Sequence, residues 1–340
     1  MIDEQSTRTV PAKDRFLGCL LGLAIGDALG MPVEGWSHER IEVTFGWISG
    51  YLPKVDESGT QILAAGEITD DTELALCHVE SLITNGGYVD PETIGLRFLR
   101  LYHGDSRKFM GRTTKLALER ADETGDFQNG AVGDWPAGNG VAARIAPLGL
   151  MHALNRLNAE VFTRDVMRAG LITHCHPEAL NGALAMAYAV RLLASEEVPP
   201  EVLIDEVLAF IDEDDVARKI RLAEKLIRTG GDRERDFANL AQIGTSGYVA
   251  ESVAAALYCF VTHADDFESA VLTAVNAGGD TDTIGAMTGA LAGTHVGAPT
   301  IPVRLVDGLE GRMYILVAGP GLYRSAQRRA GLFLQLHRRD

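Results

Sequence analysis

The sequence predicts an all-α protein that folds as a single compact domain. Apolar residues recur at helical spacing through most of the 340-residue chain, with short connections between them. Strand patterns are few, with residues 41–45 the clearest, and strands do not alternate with helices as in parallel α/β folds. No tandem repeat or Pro/Ser-rich linker divides the sequence. We therefore expect one helical domain over residues 14–340, preceded by a polar, flexible segment at residues 1–13.

The composition indicates a globular protein and argues against several classes of partner. Hydrophobic residues make up 46% and charged residues 23% of the chain, and the formal net charge is −16. A chain this acidic does not suit a general nucleic-acid binder or a protein that docks on anionic membranes, because both need a basic face. The four cysteines are scattered without a CxxC pair, which is typical of buried thiols in a reducing compartment. We therefore expect a cytoplasmic protein.

The first predicted element is an apolar helix over about residues 14–28. Its run at 16–26 mimics the core of a signal peptide, but acidic residues flank it where a leader would be positively charged. Glycines recur at every fourth position and leave a bare stripe against which a second helix can pack closely. These glycines are Gly18, Gly22, Gly26 and Gly30. We interpret the run as a core helix, and we expect no segment long and apolar enough to span a membrane.

The rest of the chain is predicted as helices joined by loops. Residues 30–66 form a long loop with a short strand pair, of a length that usually serves as a lid or a site wall. Gly86-Gly87 ends the helix that follows this loop, and Pro91 opens the next one. Loops are expected at 104–112 and 122–141. Helical spacing is found in the stretch at residues 66–82 and in the one that runs from Pro91 through Leu101. Further helices are predicted over about residues 113–121, 141–154, 160–172, 178–195, 199–212, 214–229, 247–262, 266–276, 282–295 and 322–336.

The most informative stretch is residues 278–283, which read Gly-Gly-Asp-Thr-Asp-Thr and lead into a small-residue, apolar run typical of a buried helix. A helix N-terminus favours negative charge, and one aspartate would suffice as its cap. Capping therefore explains one of Asp280 and Asp282 but not both. Two neighbouring carboxylates entering a buried helix repel each other and are costly to desolvate unless a cation joins them.

A second stretch repeats this pattern, because residues 69–72 read Thr-Asp-Asp-Thr at the start of an amphipathic helix. If the two helices pack side by side, four carboxylates and several hydroxyls converge. Two divalent cations sharing a bridging carboxylate would relieve the repulsion and activate a water molecule. Oxygen ligands suit magnesium, calcium or manganese. The spacing of a calcium-binding loop is not met, since Ile284 and Leu291 stand where oxygen ligands belong.

Six motifs, in order, resemble those of the ADP-ribosylglycohydrolase family, and the resemblance spans about residues 14–320. They are Gly26-Asp27-Ala28-Leu29-Gly30-Met31-Pro32-Val33-Glu34, Thr69-Asp70-Asp71-Thr72, Gly138-Asn139-Gly140 running into Ala143-Arg144, Thr173-His174, residues 244–252, and Gly279-Asp280-Thr281-Asp282-Thr283. Each motif alone is weak, whereas six in the family's order are specific. The resemblance implies an all-α orthogonal bundle with two magnesium or manganese ions in a cleft at helix N-termini.

The resemblance also implies roles for individual residues of the two acidic stretches. The implied metal ligands are Thr69, Asp70 and Asp71 from one helix start and Asp280, Asp282 and Thr283 from the other, with Asp282 as the bridge. Glu34 resembles the family's mobile-loop carboxylate, which touches a metal or acts as acid and base. The implied catalytic residues are therefore Glu34 and the metal-bound Asp70 and Asp71. Without the motif around it, Glu34 is more typical of a solvated loop residue.

Substrate contacts are implied at four further places, each with a plain structural alternative. Gly138-Asn139-Gly140 would cradle a diphosphate through exposed backbone N–H groups, or is an ordinary Asn-Gly turn. Gly111 would begin a similar but weaker phosphate-binding stretch, or the stretch is an ordinary helix start capped by Thr113. His174 would lie near the distal ribose or the phosphates, or is a core histidine. Tyr248 would form an aromatic wall for the adenine, or is a core residue.

The function implied by the resemblance is hydrolysis of the glycosidic bond between ADP-ribose and a modified acceptor, with an arginine-type linkage favoured. The expected partner is an ADP-ribosylated protein or small molecule. Two alternatives remain. One is a non-catalytic, crystallin-like or ADP-ribose-binding relative, and the other is a di-metal hydrolase of another nucleotide-like substrate. The residues themselves support the cations and a water nucleophile, whereas the glycosidic bond comes from the resemblance alone.

Overall fold

A computed structural model describes residues 10–128, 130–195, 198–228 and 232–337 of the protein. The described residues are overwhelmingly helical, which confirms the all-α prediction. The helices are α1 (Ala12–Gly30), α2 (His38–Phe45), α3 (Asp70–Thr84), α4 (Pro91–Tyr102), α5 (Arg112–Thr124), α6 (Gly140–Arg144), α7 (Ala146–Met151), α8 (Ala159–Gly170), α9 (Pro177–Ser195), α10 (Pro200–Phe210), α11 (Asp215–Ile227), α12 (Arg233–Ile243), α13 (Val249–Thr262), α14 (Phe267–Asn276), α15 (Thr281–Val296), α16 (Val303–Gly308) and α17 (Arg312–His337). Most of the predicted flexible segment, residues 1–9, lies outside the described ranges.

The central packing of the fold is a close antiparallel contact between α1 and α15. A methyl group added at Gly22 would lie 2.0 Å from the carbonyl oxygen of Gly289, and one added at Gly30 would lie 2.2 Å from that of Thr281. The two backbones therefore touch, and only residues without side chains fit along this stripe. The contact brings the start of α15 to the end of α1, where the chain turns toward Glu34. The glycine repeat thus positions the acidic stretch at residues 280–283.

The expectation that no segment is apolar enough to span a membrane was wrong for α1. The stretch Ala12–Val33 is 22 residues long, and its most apolar 18 residues have a mean hydropathy of 1.8, sufficient by length and composition to cross a membrane. In the folded protein, 89% of those 18 residues are buried inside the bundle. Its apolar surface is therefore covered by other helices, as in a core helix.

The predicted strand at residues 41–45 was also wrong, since these residues lie in helix α2. Its apolar residues alternate along the chain, but Ile41 is buried whereas Val43 is 88% exposed, so the alternation does not reflect a buried sheet face. The Ser37 hydroxyl accepts a hydrogen bond from the backbone N–H of Arg40 and caps the helix start. The short strand pair of the long loop is β1 (Lys54–Val55) and β2 (Gln61–Leu63), paired antiparallel.

Two helix boundaries differ from prediction because of proline. The single helix expected over 141–154 is two short helices, α6 and α7, and Pro147 stands in the first turn of α7, where it has no N–H to continue a helix from α6. The last helix begins at Arg312 rather than near 322, because α17 continues through Pro320.

Candidate metal centre

The first residues of α3 and α15 meet at one end of the bundle. The hydroxyl of Thr283 donates a 2.9 Å hydrogen bond to the carboxylate of Asp71, although the two residues are 212 positions apart. Asp280 and Asp282 lie beside Glu34, and each of these three offers a carboxylate oxygen within 4.8 Å of the others. The two acidic stretches that the sequence singles out therefore form one cluster, which we call the acidic cluster (Glu34, Asp70, Asp71, Asp280, Asp282 and Thr283).

A further acidic residue, Asp27 of α1, holds the start of α3 from outside that helix. Its carboxylate accepts hydrogen bonds from the backbone N–H groups of Thr69 (2.9 Å) and Thr72 (3.3 Å) and from both threonine hydroxyls. Asp27 thus supplies the cap that the Thr69 side chain does not. Because the Thr69 hydroxyl gives its proton to Asp27, its lone pairs stay available for a cation. The sequence analysis did not predict that Asp27 caps α3. The one sign of it in the sequence is an aspartate at the end of an apolar run.

Burial and mutual repulsion raise the pKa values of the clustered carboxyls. Burial, and then the negative charge of Asp27, raise the pKa of Asp70 to about 7. Burial raises the pKa of Asp71 and of Asp282 well above the usual range, and the neighbouring carboxylates raise both further. Burial likewise raises the pKa of Asp280. Keeping these carboxylates ionised therefore costs free energy unless positive charge joins them.

The cationic side chains that the described residues place nearby pair with none of the four aspartates. Lys54 pairs with Glu34, the fifth carboxylate of the cluster, at 2.9 Å. Arg144 is fully buried, but its guanidinium donates to the carbonyl of Gly140 and to the hydroxyl of Thr173. Within the described part of the chain, none of the four aspartates of the cluster is ion-paired. Their donor set, carboxylates and threonine hydroxyls, is the oxygen set that hard divalent cations prefer. The residues present therefore fit a divalent-cation site.

The acidic cluster lines a cleft of about 250 Å³. Five predicted substrate-binding residues line the same cleft, namely Gly111, Gly138, Asn139, Gly140 and His174. Phe109 and Arg112 line it as well. Sequence reasoning missed Phe109, because an aromatic residue in a loop without a motif around it gives no local signal. The cleft therefore combines the candidate cation site with most of the surface expected to hold a substrate.

Two predicted site residues lie outside the lining of the cleft. Thr69 is 1% exposed and stands behind the cluster, bonded to Asp27. Tyr248 has its hydroxyl 2.8 Å from the carboxylate of Glu178, and its ring centre is 5.6 Å from that of Trp135. Contact between Tyr248 and a substrate stays a prediction.

The glycine turn at residues 138–140 is tied to the acidic cluster. The side-chain amide of Asn139 donates a 2.6 Å hydrogen bond to the carboxylate of Asp280. A methyl group added at Gly138 would lie 3.3 Å from Nε2 of His174, and one added at Gly140 would lie 3.5 Å from Cε1 of the same ring. The turn and the imidazole edge therefore face each other closely, and a side chain at either glycine would fill the gap between them.

Comparison with known proteins gives the same assignment as the cleft. Residues 8–332 match the family model described as ADP-ribosylglycohydrolase. An uncharacterised protein of Archaeoglobus fulgidus is 33% identical over 92% of this chain and 96% of its own length. The ADP-ribosylarginine hydrolase Tri1 of Pseudomonas putida is 32% identical over 87% of this chain and 74% of its own length. A solved structure titled "ADP-ribosylglycohydrolase-related protein complex" superposes with a TM-score of 0.72 and 32% identity, covering 93% of this chain and 99% of that one. With the acidic cluster, the glycine turn and nearly the whole chain in agreement, this protein belongs to the ADP-ribosylglycohydrolase family.

Proposed function

We propose that the protein hydrolyses the glycosidic bond between ADP-ribose and a modified acceptor, and that it does so with two divalent cations, Mg²⁺ or Mn²⁺. The observation that carries this proposal is the meeting of two oxygen-rich helix starts in a cleft. Four aspartates gather there, and within the described residues none of them forms an ion pair, although the charge of buried Arg144 acts on Asp70 and Asp71. A catalytic cation site is the arrangement that relieves such a cluster and gives it a chemical use.

The cations would be held by residues of both helix starts. Asp70 and Asp71, with Thr69 behind them, would bind from α3, and Asp280, Asp282 and Thr283 from α15. Asp282 would hold the cations most centrally, because its carboxylate lies next to those of Asp280 and Glu34 and the charge of Asp71 acts on it. When bound, divalent cations supply Lewis acidity and lower the pKa of a coordinated water.

The proton transfers are proposed to fall to the carboxylates at the cleft surface. Glu34 is 43% exposed in its side chain and is held by Lys54, so it can reach both the cluster and a bound acceptor. It would take a proton from the attacking water and return one to the leaving group. Asp70 and Asp71, which also line the cleft, are the alternative proton carriers.

The remaining lining suits a phosphate-bearing substrate. Arg112 opens α5 with its side chain 80% exposed, and its guanidinium is 3.7 Å from Asp134, which leaves donors for phosphate oxygens. The turn at Gly138 and Gly140 admits close approach of phosphate oxygens to the backbone. Arg112 and the glycine turn thus add positive charge and backbone donors to the cleft that the acidic cluster lines, which supports binding of a diphosphate.

We favour arginine as the acceptor because the relative from Pseudomonas putida is named an ADP-ribosylarginine hydrolase. The experiment is a panel of substrates in which ADP-ribose is linked to arginine, serine, an acetyl ester or a nucleic-acid base, each assayed with Mg²⁺ and with Mn²⁺. We expect release of ADP-ribose with either cation and the fastest release from arginine. A chain that releases ADP-ribose from none of them, while binding the cations, would contradict the hydrolase assignment.

A variant tests whether the cluster carries the activity. We expect Asp282→Ala to abolish both cation binding and turnover, because it removes the most central of the proposed ligands. The matched control is Asp205→Ala, which removes an exposed aspartate on α10 and should leave both unchanged. Full activity of Asp282→Ala would end the two-cation proposal.

A further inference from the structure

His174 presents one edge of its ring to the cleft and the other to the protein. The residue is 3% exposed, yet it lines the cleft, where Nε2 faces the space over Gly138. On the opposite edge, Nδ1 lies 2.7 Å from the hydroxyl oxygen of Thr173. Nε2 has no hydrogen-bond partner among the described residues. The ring is therefore anchored at one nitrogen and leaves the other for a ligand.

A count of protons fixes the direction of the bond between Thr173 and His174. The guanidinium of Arg144 lies 2.5 Å from the Thr173 oxygen, and a guanidinium can only donate. The hydroxyl therefore accepts from Arg144, and its single proton is left for Nδ1. If Nδ1–H donated instead, the hydroxyl proton of Thr173, which is 0% exposed, would have no acceptor within the described structure. A buried unsatisfied donor of this kind is costly, so the first direction is favoured.

Arg144 is held firmly enough to impose this direction. It is 0% exposed, and it donates a second hydrogen bond, of 2.7 Å, to the carbonyl of Gly140. Its guanidinium carbon also lies 5.1 Å from the ring centre of Phe98. Burial, and then the charge of Arg144, lower the pKa of His174 to about 3. The imidazole is therefore neutral, with a single proton to place between its two nitrogens.

We propose that Arg144 and Thr173 are positioning residues that fix His174 as an Nε2–H hydrogen-bond donor at the wall of the cleft. This inference rests on the proposed function. The ligand group that this edge takes is an oxygen with free lone pairs, such as a phosphate or ribose oxygen of ADP-ribose. With its proton on Nε2, His174 has no basic nitrogen facing the cleft, so it binds and orients substrate and does not act as the base. Because Arg144 also bonds Gly140, one side chain sets both His174 and the facing glycine turn.

The test is the protonation pattern of the ring in the full-length protein labelled with ¹⁵N-histidine. Long-range ¹H–¹⁵N spectra distinguish a protonated from an unprotonated ring nitrogen, and His174→Gln assigns the signals by their loss. We expect an unprotonated Nδ1 and a protonated Nε2 at neutral pH without any ligand. A ring protonated at Nδ1, or at both nitrogens, would overturn the proposal without reference to any substrate.

Variants of Thr173 test the positioning role. Thr173→Val keeps the shape but removes the hydroxyl, so the two neutral forms of the ring should become mixed. The dissociation constant for ADP-ribose should then rise about three- to tenfold, the worth of one hydrogen bond, whereas affinity for Mg²⁺ should not change. Thr173→Ser should restore both the ring form and the affinity. An unchanged ring form and unchanged affinity in Thr173→Val would refute the role of Thr173.

The two measurements separate this inference from the proposed function. If the wild type does not bind ADP-ribose, the proposed function fails and the ligand role of His174 fails with it. If the wild type binds ADP-ribose but carries its proton on Nδ1, the inference alone fails.

Discussion

Asp165 and the four aspartates of the acidic cluster are all largely withdrawn from solvent, but of these five carboxylates Asp165 alone forms ion pairs within the described residues. Arg329 of α17 and His152 lie 3.0 Å and 3.1 Å from its carboxylate, and Arg164 lies at 3.1 Å. Burial alone would raise the pKa of Asp165, but the bonds from His152 and Arg329 outweigh it and lower the pKa to about 2. At the cluster, the pKa of Asp70 is instead raised to about 7.

The lowered pKa of Asp165 and the raised pKa of Asp70 distinguish a carboxylate with a structural role from one suited to bind a ligand. At Asp165 the positive charge is part of the fold, so the site is complete when the chain has folded. At the cluster no described cation pairs with the four aspartates, and α3 and α15 bring the carboxylates together at a cost that Lys54 and Arg144 relieve only in part. We infer that their cost is offset by cations when the protein works.

The largest expected effect is a loss of stability when Asp165 loses its partner Arg329. Arg329→Met leaves the Asp165 carboxylate buried without its main partner, so the free energy of unfolding should fall by about 3–5 kcal/mol. Cation affinity should be unchanged, because Asp165 lies outside the acidic cluster. Urea unfolding measures the change in the free energy of unfolding, and titration calorimetry measures the cation affinity. The control is Arg328→Met, an exposed neighbour on the same helix. A loss below about 1 kcal/mol would show that the pair stabilises little.

The next effect is the pH dependence of the same site. The folded pKa of Asp165 is about 2, below its unfolded value near 4, so its stabilisation is complete above pH 4 and lost as pH falls toward 2. Asp165→Asn removes that contribution at all pH values. The unfolding free energies of wild type and variant should therefore differ by about 2 kcal/mol at neutral pH and converge between pH 4 and pH 2. Asp205→Asn, on an exposed surface, is the control substitution. A difference that stays constant across this window would contradict the assigned pKa.

A substitution in the acidic cluster should increase the free energy of unfolding, whereas Arg329→Met lowers it. Burying the Asp282 carboxyl is unfavourable whether it stays charged or takes up a proton, and a neutral amide avoids this cost. Asp282→Asn should therefore stabilise the cation-free protein by about 1–2 kcal/mol. It should also remove the stabilisation that Mg²⁺ gives the wild type. Thermal unfolding with Mg²⁺ and with a chelator measures both. If Asp282→Asn destabilises the cation-free protein as Arg329→Met does, the contrast between the two sites fails.

The smallest expected effect concerns the single ion pair at the rim of the cluster. Lys54 holds Glu34 at 2.9 Å and therefore competes with a cation for it. Lys54→Met should raise affinity for Mg²⁺ about two- to fivefold, as expected for a partly exposed pair. Lys13→Met, which removes an exposed lysine at the start of α1, is the control. A fall in affinity would mean that Lys54 orients Glu34 for the cation.

The features that could be predicted from the sequence are those that depend on residues close together in the chain. Both acidic helix starts, at 69–72 and 280–283, place their oxygens within a few positions of each other. The glycine repeat of α1 likewise predicts a close contact with another helix, and the structure shows that this helix is α15. These signals sufficed for the helical fold and for a candidate cation site.

What could not be predicted depends on contacts between distant segments. The cap on α3 comes from Asp27, 42 positions before Thr69, and Asp165 meets Arg329 across 164 positions. No local pattern encodes either contact. The wrong strand at residues 41–45 has the same cause, because alternating apolar residues predict a strand only if one face is buried, and burial is decided by the rest of the fold.

The most direct test of the central claim is diffraction from crystals grown with Mn²⁺, recorded where manganese scatters anomalously. We expect two anomalous peaks between Asp70 and Asp71 on one side and Asp280 and Asp282 on the other, and none beside Asp165. Peaks absent from the cluster in crystals of protein that still hydrolyses its substrate would contradict it.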